Sequence, residues 1–160
     1  MLRICTEEDY INVVEEFSNM IYKIAYQNVL SIADAEDIVQ EVFIKLIKNR
    51  TKCFENREHL KAWLIKVTIN QCRDFRRLFM RRKEIPTDNL PHILKKNEIA
   101  ILEEISQLPK DERNIIYLYY YEGYKIKEIA EILNKNQNTV NSKLIRGRKK
   151  LRTLIEEQGD

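Results

Sequence analysis

Apolar residues recur along this chain with the period of an α-helix. Ile38/Val39, Val42/Phe43 and Leu46/Ile47 step by four residues, which sets one buried face on an amphipathic helix. Asp37, Gln40 and Glu41 then share the opposite face. Ahead of this segment a helix is expected from about Asp9 to Val29, broken at Ser31 to Ala33. Asp34 is the expected N-cap of the next helix, with Glu36 and Asp37 in its first turn, where negative charge suits the helix dipole. A polar loop, Asn49 to Glu58, leads to a further helix expected from His59 to Arg82. Its first half should bury Trp63, Leu64 and Val67, and its second half is basic.

One stretch departs from this pattern. Glu84 to Asn97 reads EIPTDNLPHILKKN and holds two of the three prolines, Pro86 and Pro91. Proline lacks a backbone donor and disfavours helix in the residue before it. The expected organisation is therefore all-α, with two small helical domains, 1–84 and 98–160, joined by a flexible linker at 85–97. The second domain should open near Glu98 with Ile101, Leu102 and Ile105. Pro109 suits the first turn of the next helix and Gly123 its C-terminal cap. The tyrosines of NIIYLYYYEG, Asn114 to Gly123, fit core and groove packing better than a platform for stacked bases.

The C-terminal part carries the sharpest pattern. Ile126, Ile129, Ala130 and Leu133 fall at helical spacing, Asn134 to Gln137 form a polar turn, and Val140, Leu144, Gly147, Leu151 and Leu154 continue one buried face. Two helices joined by a tight polar turn make a helix-turn-helix. Asn138, Asn141, Ser142, Ile145, Arg146 and Lys149 then face outward. These are mostly hydrogen-bonding and cationic groups suited to base edges and phosphates in a major groove.

Charge sharpens this reading. The chain of 160 residues has a net charge of only +3. Yet Lys143 to Arg152 holds six basic residues and no acid, and Arg73 to Lys83 holds six with one acid, Asp74. Two local basic stripes in a nearly balanced chain suggest two nucleic-acid contacts rather than general stickiness. Cys5, Cys53 and Cys72 are odd in number and widely spaced, so neither a disulfide framework nor a zinc site is expected. The start, MLRICTEEDY, has no apolar core and three acids, unlike a signal peptide. No run approaches the roughly 20 apolar residues of a membrane span. A cytoplasmic protein without membrane insertion, cofactor or metal is expected.

Three blocks resemble bacterial RNA polymerase sigma factors of the extracytoplasmic-function type. DAEDIVQEVFIKL, Asp34 to Leu46, resembles the helix that docks on the clamp of core polymerase. AWLIKVTINQCRDFRR, Ala62 to Arg77, resembles the helix that reads and opens the −10 promoter element. Leu108 to Arg152, from LPKDERN to GRKKLR, resembles the domain that reads the −35 element. The resemblance implies a factor that gives core RNA polymerase its choice of promoter DNA. It implies core binding through Asp37, Gln40 and Glu41, and −10 contacts from Lys66, Asn70, Arg73, Arg76 and Arg77. It further implies −35 contacts from Asn138, Thr139, Asn141, Ser142, Lys143, Arg146, Arg148 and Lys149. A −10 base is expected to flip toward the loop Lys52 to Glu58, where Phe54 or Asn56 would meet it.

Two positions depart from the family pattern. Asn141 stands where Lys or Arg is frequent, and Gly147 where Ala is usual. The first bears on which upstream sequence is read, because Asn suits adenine and Arg suits guanine. The few residues after Leu154 leave no room for an appended sensor, so control is expected from a separate anti-sigma factor. Two other classes compete. An independent helix-turn-helix regulator would leave the face at Asp37 to Glu41 unexplained. An enzyme acting on nucleic acid would need clustered carboxylates for a metal or an activated nucleophile. Asp34, Glu36 and Asp37 are better explained by helix-start chemistry, and His59 and His92 stand alone. No catalytic residue is expected.

Overall fold

The computed structural model describes residues 1–82 and 96–158, arranged in two compact units, Met1–Ile93 and Leu94–Asp160. The expected linker lies almost wholly outside the described residues.

The first unit holds three helices: α1 (Glu7–Val29), α2 (Ile32–Lys48) and α3 (Arg57–Arg82). A reciprocal capping box starts α1. Thr6 Oγ1 accepts from the Asp9 N–H at 3.0 Å, and Asp9 Oδ2 accepts from the N–H groups of Thr6 and Cys5 at 3.0 and 3.2 Å. The Thr6 backbone donor first, then the Thr6 hydroxyl and the Cys5 N–H, hold the Asp9 carboxyl below its ordinary range. A single left-handed residue, Leu30 at φ 52°, reverses the chain after α1.

Ser31, not Asp34, then caps α2. Its hydroxyl accepts from the Asp34 N–H at 3.3 Å, which places Asp34 inside the first turn. The break between the helices is thus shorter than the polar composition of the segment suggested.

Three apolar stripes meet in this unit: Val13, Phe17, Ile21 and Ile24 of α1, Ala35, Ile38, Val42, Phe43 and Leu46 of α2, and Leu60, Leu64, Ile65 and Cys72 of α3. Thr68 lies among them, its hydroxyl donating to the Leu64 carbonyl at 2.7 Å. Three expected core positions shift. Ile47 is 48% exposed, because it falls past the edge of the stripe that Phe43 and Leu46 define. The buried stripe of α3 also lies to one side of the one expected, leaving Trp63 and Val67 half-buried on its flank. Asn56 starts α3, its side-chain oxygen accepting from the His59 N–H at 2.9 Å.

The second unit holds α4 (Lys96–Ser106), α5 (Lys110–Tyr120), α6 (Ile126–Leu133) and α7 (Gln137–Gln158). Helix α4 begins before Glu98, and α5 packs against each of the other three helices. Residues Glu112 to Leu118 of α5 are accordingly all buried, polar ones included. The Glu112 carboxylate is held by Lys150 Nζ at 3.1 Å, and Arg113 donates to the Ser106 carbonyl at 3.3 Å. Ion pairing and hydrogen bonding of this kind make burial of charge tolerable. Leu102 and Ile105 anchor α4 while Ile101 stays 39% exposed.

Gly147 faces α5, and a Cβ there would lie 3.1 Å from Ile116 Cγ1 and 3.3 Å from Glu112 Cβ. Glycine therefore lets α7 approach α5 closely. Beyond α5, Gly123 at φ 72° turns the chain, and the Tyr124 N–H returns to the Leu118 carbonyl at 3.0 Å. Tyr117 is buried and donates to Glu122 Oε1 at 2.9 Å, with Tyr121 stacked on its ring at 5.3 Å.

Candidate nucleic-acid and polymerase interfaces

The turn between α6 and α7 is built by asparagines. Asn134 closes α6 in the left-handed region at φ 53°, which Asn tolerates better than most residues, and the Lys135 N–H reaches the Ala130 carbonyl at 2.8 Å. Asn136 then starts α7: its side-chain oxygen accepts from the Asn138 N–H at 2.8 Å, and its carbonyl from the Val140 N–H at 3.0 Å. Ile129, Ala130, Val140 and Leu144 close the angle between the helices; Ile132 is buried too, while Ile126 and Leu133 stay half-buried.

The outer side of α7 carries Asn138, Thr139, Asn141, Ser142, Arg146 and Lys149, all exposed. Lys143 and Arg148 differ from them. Lys143 is half-buried and pairs with Asp111 Oδ2 at 2.6 Å, and Lys135 reaches the same oxygen at 3.2 Å. Burial pushes the Asp111 carboxyl up, but hydrogen bonds and charge from the two lysines outweigh it and hold the group below its ordinary range. Arg148 lies on the flank of α7 over the Tyr120 ring, 5.6 Å from its centre. There it borders an apolar cleft of about 690 Å³ lined by Ile101, Ile105, Ile116, Tyr120, Leu151 and Ile155. The basic run from Lys143 to Arg152 is thus divided among an ion pair, a cleft rim and an outer face. Such a division depends on partners in α5 that spacing along α7 does not reveal.

In the first unit, Lys66, Asn70, Arg73 and Arg77 follow each other at helical spacing on the side of α3 opposite Leu64, Thr68 and Cys72. Lys66, Arg73 and Arg77 are exposed; Asn70 and Arg76 are half-buried. Trp63 borders this face, with Lys52 Nζ 5.9 Å from its ring centre and the Phe54 ring 5.6 Å away. Phe54 is 1% exposed, and its backbone pairs in both directions with Leu2 at 2.7 and 2.9 Å. It is a packing residue whose ring is not presented to a base, and the Asn56 side-chain oxygen is engaged as a cap. Lys52, beside Trp63, is exposed.

On α2, Asp37, Gln40 and Glu41 are exposed together. The same face presents Ile44, 39% exposed, which sequence reasoning missed. Its signal was spacing: seven residues from Asp37 is two helical turns, which puts Ile44 on the polar side.

Among the described residues no group of three or more His, Cys, Asp or Glu side chains is placed to hold a metal ion, and no helix is long and apolar enough to cross a membrane.

A helix-turn-helix with an exposed polar and cationic outer face, and a second basic helix face in a separate unit, define a helical DNA-binding factor. The comparisons specify which. Residues 13–82 match the family model for Sigma-70 region 2 and residues 98–151 that for Sigma-70, region 4. The chain is similar to the RNA polymerase sigma factor SigV of Bacillus subtilis, 28% identical over 153 residues that cover 92% of each protein. It is also similar to the ECF sigma factor SigW of the same species, 26% identical over 94% of this chain and 91% of that one. The fold matches the sigma factor RpoE of Bartonella quintana, solved with the anti-sigma factor NepR, at a TM-score of 0.75 and 20% identity, over 93% of this chain and 98% of that one. It also matches CnrH, solved with the cytosolic domain of CnrY, at a TM-score of 0.67 and 20% identity, over 95% of this chain and 90% of that one. The chain belongs to the sigma-70 family of RNA polymerase sigma factors, in its extracytoplasmic-function group. Such a factor binds core RNA polymerase and directs it to particular promoters.

Proposed function

We propose a division of this work among three surfaces. The α2 face of Asp37, Gln40, Glu41 and Ile44 binds core polymerase. The α3 face of Lys66, Asn70, Arg73, Arg76 and Arg77 handles the −10 element. The outer face of α7, from Asn138 and Thr139 through Asn141, Ser142, Arg146 and Lys149, reads the −35 element. The observation that carries the reading is the placement of these residues: apart from Arg76, half-buried one turn after Cys72, the members of each set lie on one side of a single helix, away from that helix's buried stripe. Helix α2 offers a mixed polar and apolar surface, suited to protein, whereas α3 and α7 offer cations and amides, suited to nucleic acid. Lys143 supports α7 through Asp111 rather than touching DNA directly, and Arg148 serves the cleft beside Tyr120. The cleft suits a protein partner, since phosphates gain nothing from isoleucine and tyrosine side chains. An anti-sigma factor is the partner we assign to it, in keeping with the sigma factor solved with the anti-sigma factor NepR. The chain works in the cytoplasm beside the polymerase, contributes binding without chemistry of its own, and uses residues 85–97 to connect the domains 1–84 and 98–160.

The test is a double variant, Gln40→Ala with Glu41→Lys. Both positions are exposed, so the fold should survive. Core polymerase should no longer be pulled down by the folded variant. Full retention of core by that variant contradicts the assignment of α2.

A further inference from the structure

Ile145 is 55% exposed. It stands on the outer face of α7, with Asn141 and Ser142 one turn before it and Arg148 and Lys149 one turn after it. A β-branched residue has a lower helix propensity than Lys, Arg or Glu, which would suit an exposed helical position better. In the free chain this side chain therefore gains little from burial and lowers the helical tendency of its segment. Single exposed apolar residues are common on protein surfaces, but this one occupies the middle of a face whose other members are amides, hydroxyls and cations. Its surroundings are those of a surface that meets base edges.

The major groove offers an apolar feature of matching kind, the C5-methyl group of thymine. Resting on the reading of α7 as the −35 helix, we propose that Ile145 is a specificity-determining residue that packs against a thymine methyl in the upstream element. Asn141 and Ser142 supply hydrogen bonds to base edges one turn earlier, and Lys149 supplies charge toward the backbone one turn later. The isoleucine contributes selectivity by excluding water from a methyl that amides and cations cannot recognise. A cytosine at the same position presents an amino donor in place of the carbonyl and lacks the methyl, so it is disfavoured twice.

The test uses holoenzyme assembled from the full chain and purified core polymerase. Its preferred upstream sequence is first selected from promoters randomised in that region. Each thymine of the selected element, on either strand, is then replaced singly by deoxyuridine, which removes only the methyl group. At one position the replacement should weaken binding about fourfold, the value expected for one buried methyl-sized group. Ile145→Ala holoenzyme should bind the thymine promoter about as weakly as wild type binds the deoxyuridine promoter, and should be indifferent to the replacement. Ile145→Val should keep part of the sensitivity. Thermal unfolding of Ile145→Ala should come no lower than that of wild type, since the side chain is exposed and alanine favours helix. A selected element without thymine, or wild-type binding unchanged at every replaced thymine, overturns the proposal, as does undiminished methyl sensitivity in Ile145→Ala. Asn141→Ala serves as the internal reference. If it weakens upstream binding while methyl removal does nothing, only the role of Ile145 fails. If neither change matters, the assignment of α7 fails with it.

Discussion

Lys143 sends its ammonium from α7 back to the Asp111 carboxylate of α5, 2.6 Å away, and Lys135 of the turn meets the same oxygen at 3.2 Å. One carboxylate thus ties the recognition helix and the turn before it to the central helix of the unit. This contact also has a pH signature. The folded-state pKa of Asp111 is lowered, so its contribution to stability is fully present above the unfolded-state value of about 3.9 and is lost as pH falls through the folded-state value. Asp111→Asn should therefore be less stable than wild type at neutral pH, by less than about 1 kcal/mol because the pair is partly solvated. The gap should close in acid. Thermal unfolding of both proteins from neutral to acidic pH measures it, and a gap that widens toward acid contradicts the assignment.

Gly147 and Ile116 set the approach of α7 to α5. Gly147→Leu should destabilise the chain by about 1–3 kcal/mol through overpacking. Gly147→Ala gains helix propensity but crowds Ile116 Cγ1, which a new Cβ would meet at 3.1 Å. Combining it with Ile116→Ala, which removes that Cγ1, should relieve the crowding. Denaturant titrations of the two single variants and the double should show the double to be more stable than the singles sum to, by about 0.5 kcal/mol or more. Strict additivity would mean that the two positions do not compete for space.

The loop before α3 depends on Phe54 and Asn56 for packing and capping. Asn56→Ala should cost about 0.5–2 kcal/mol, and Phe54→Ala about 3–5 kcal/mol. Denaturant unfolding distinguishes these losses from a role in binding a base. A Phe54→Ala chain of wild-type stability that fails only in promoter opening would restore the base-contact reading.

The helical periods of α2, α6 and α7 were legible in the sequence because each of these helices buries a face whose apolar residues repeat at regular spacing. Helix α3 was harder. Its buried stripe includes Thr68 and Cys72, which apolar patterning underweights, while Trp63 drew attention to the flank. The cap at Ser31 was hidden because Ser31 and Asp34 lie three residues apart and either could cap a helix, and only the left-handed Leu30 decides between them. Within the candidate interfaces, outward residues followed from period alone. The pairing of Lys143 with Asp111, 32 positions away along the chain, and the placement of Arg148 over Tyr120 required the packed helices. Charge composition counts lysines and arginines but not the partners already holding them.

Asn70 and Asn141 should separate the two DNA-facing tasks. Asn141→Ala should shift the preferred upstream sequence, by about 1–3 kcal/mol per altered base pair, and leave strand opening intact once polymerase is recruited. Asn70→Ala should leave upstream preference alone and impair opening of the −10 region. Permanganate footprinting of open complexes, paired with upstream-sequence selection, reads both. A shift of upstream preference by Asn70→Ala, or blocked melting by Asn141→Ala on its preferred promoter, would reverse the assignment of the two units.

Promoter choice by core RNA polymerase should depend on α2, α3 and α7 of this chain. Transcription from a library of promoter fragments by purified core polymerase, with and without the full chain, tests it most directly. Specific start sites should arise only when the chain is present. They should disappear with the Gln40→Ala/Glu41→Lys variant, and their upstream elements should change with Asn141→Ala. Start sites that are the same with and without the chain would contradict the account.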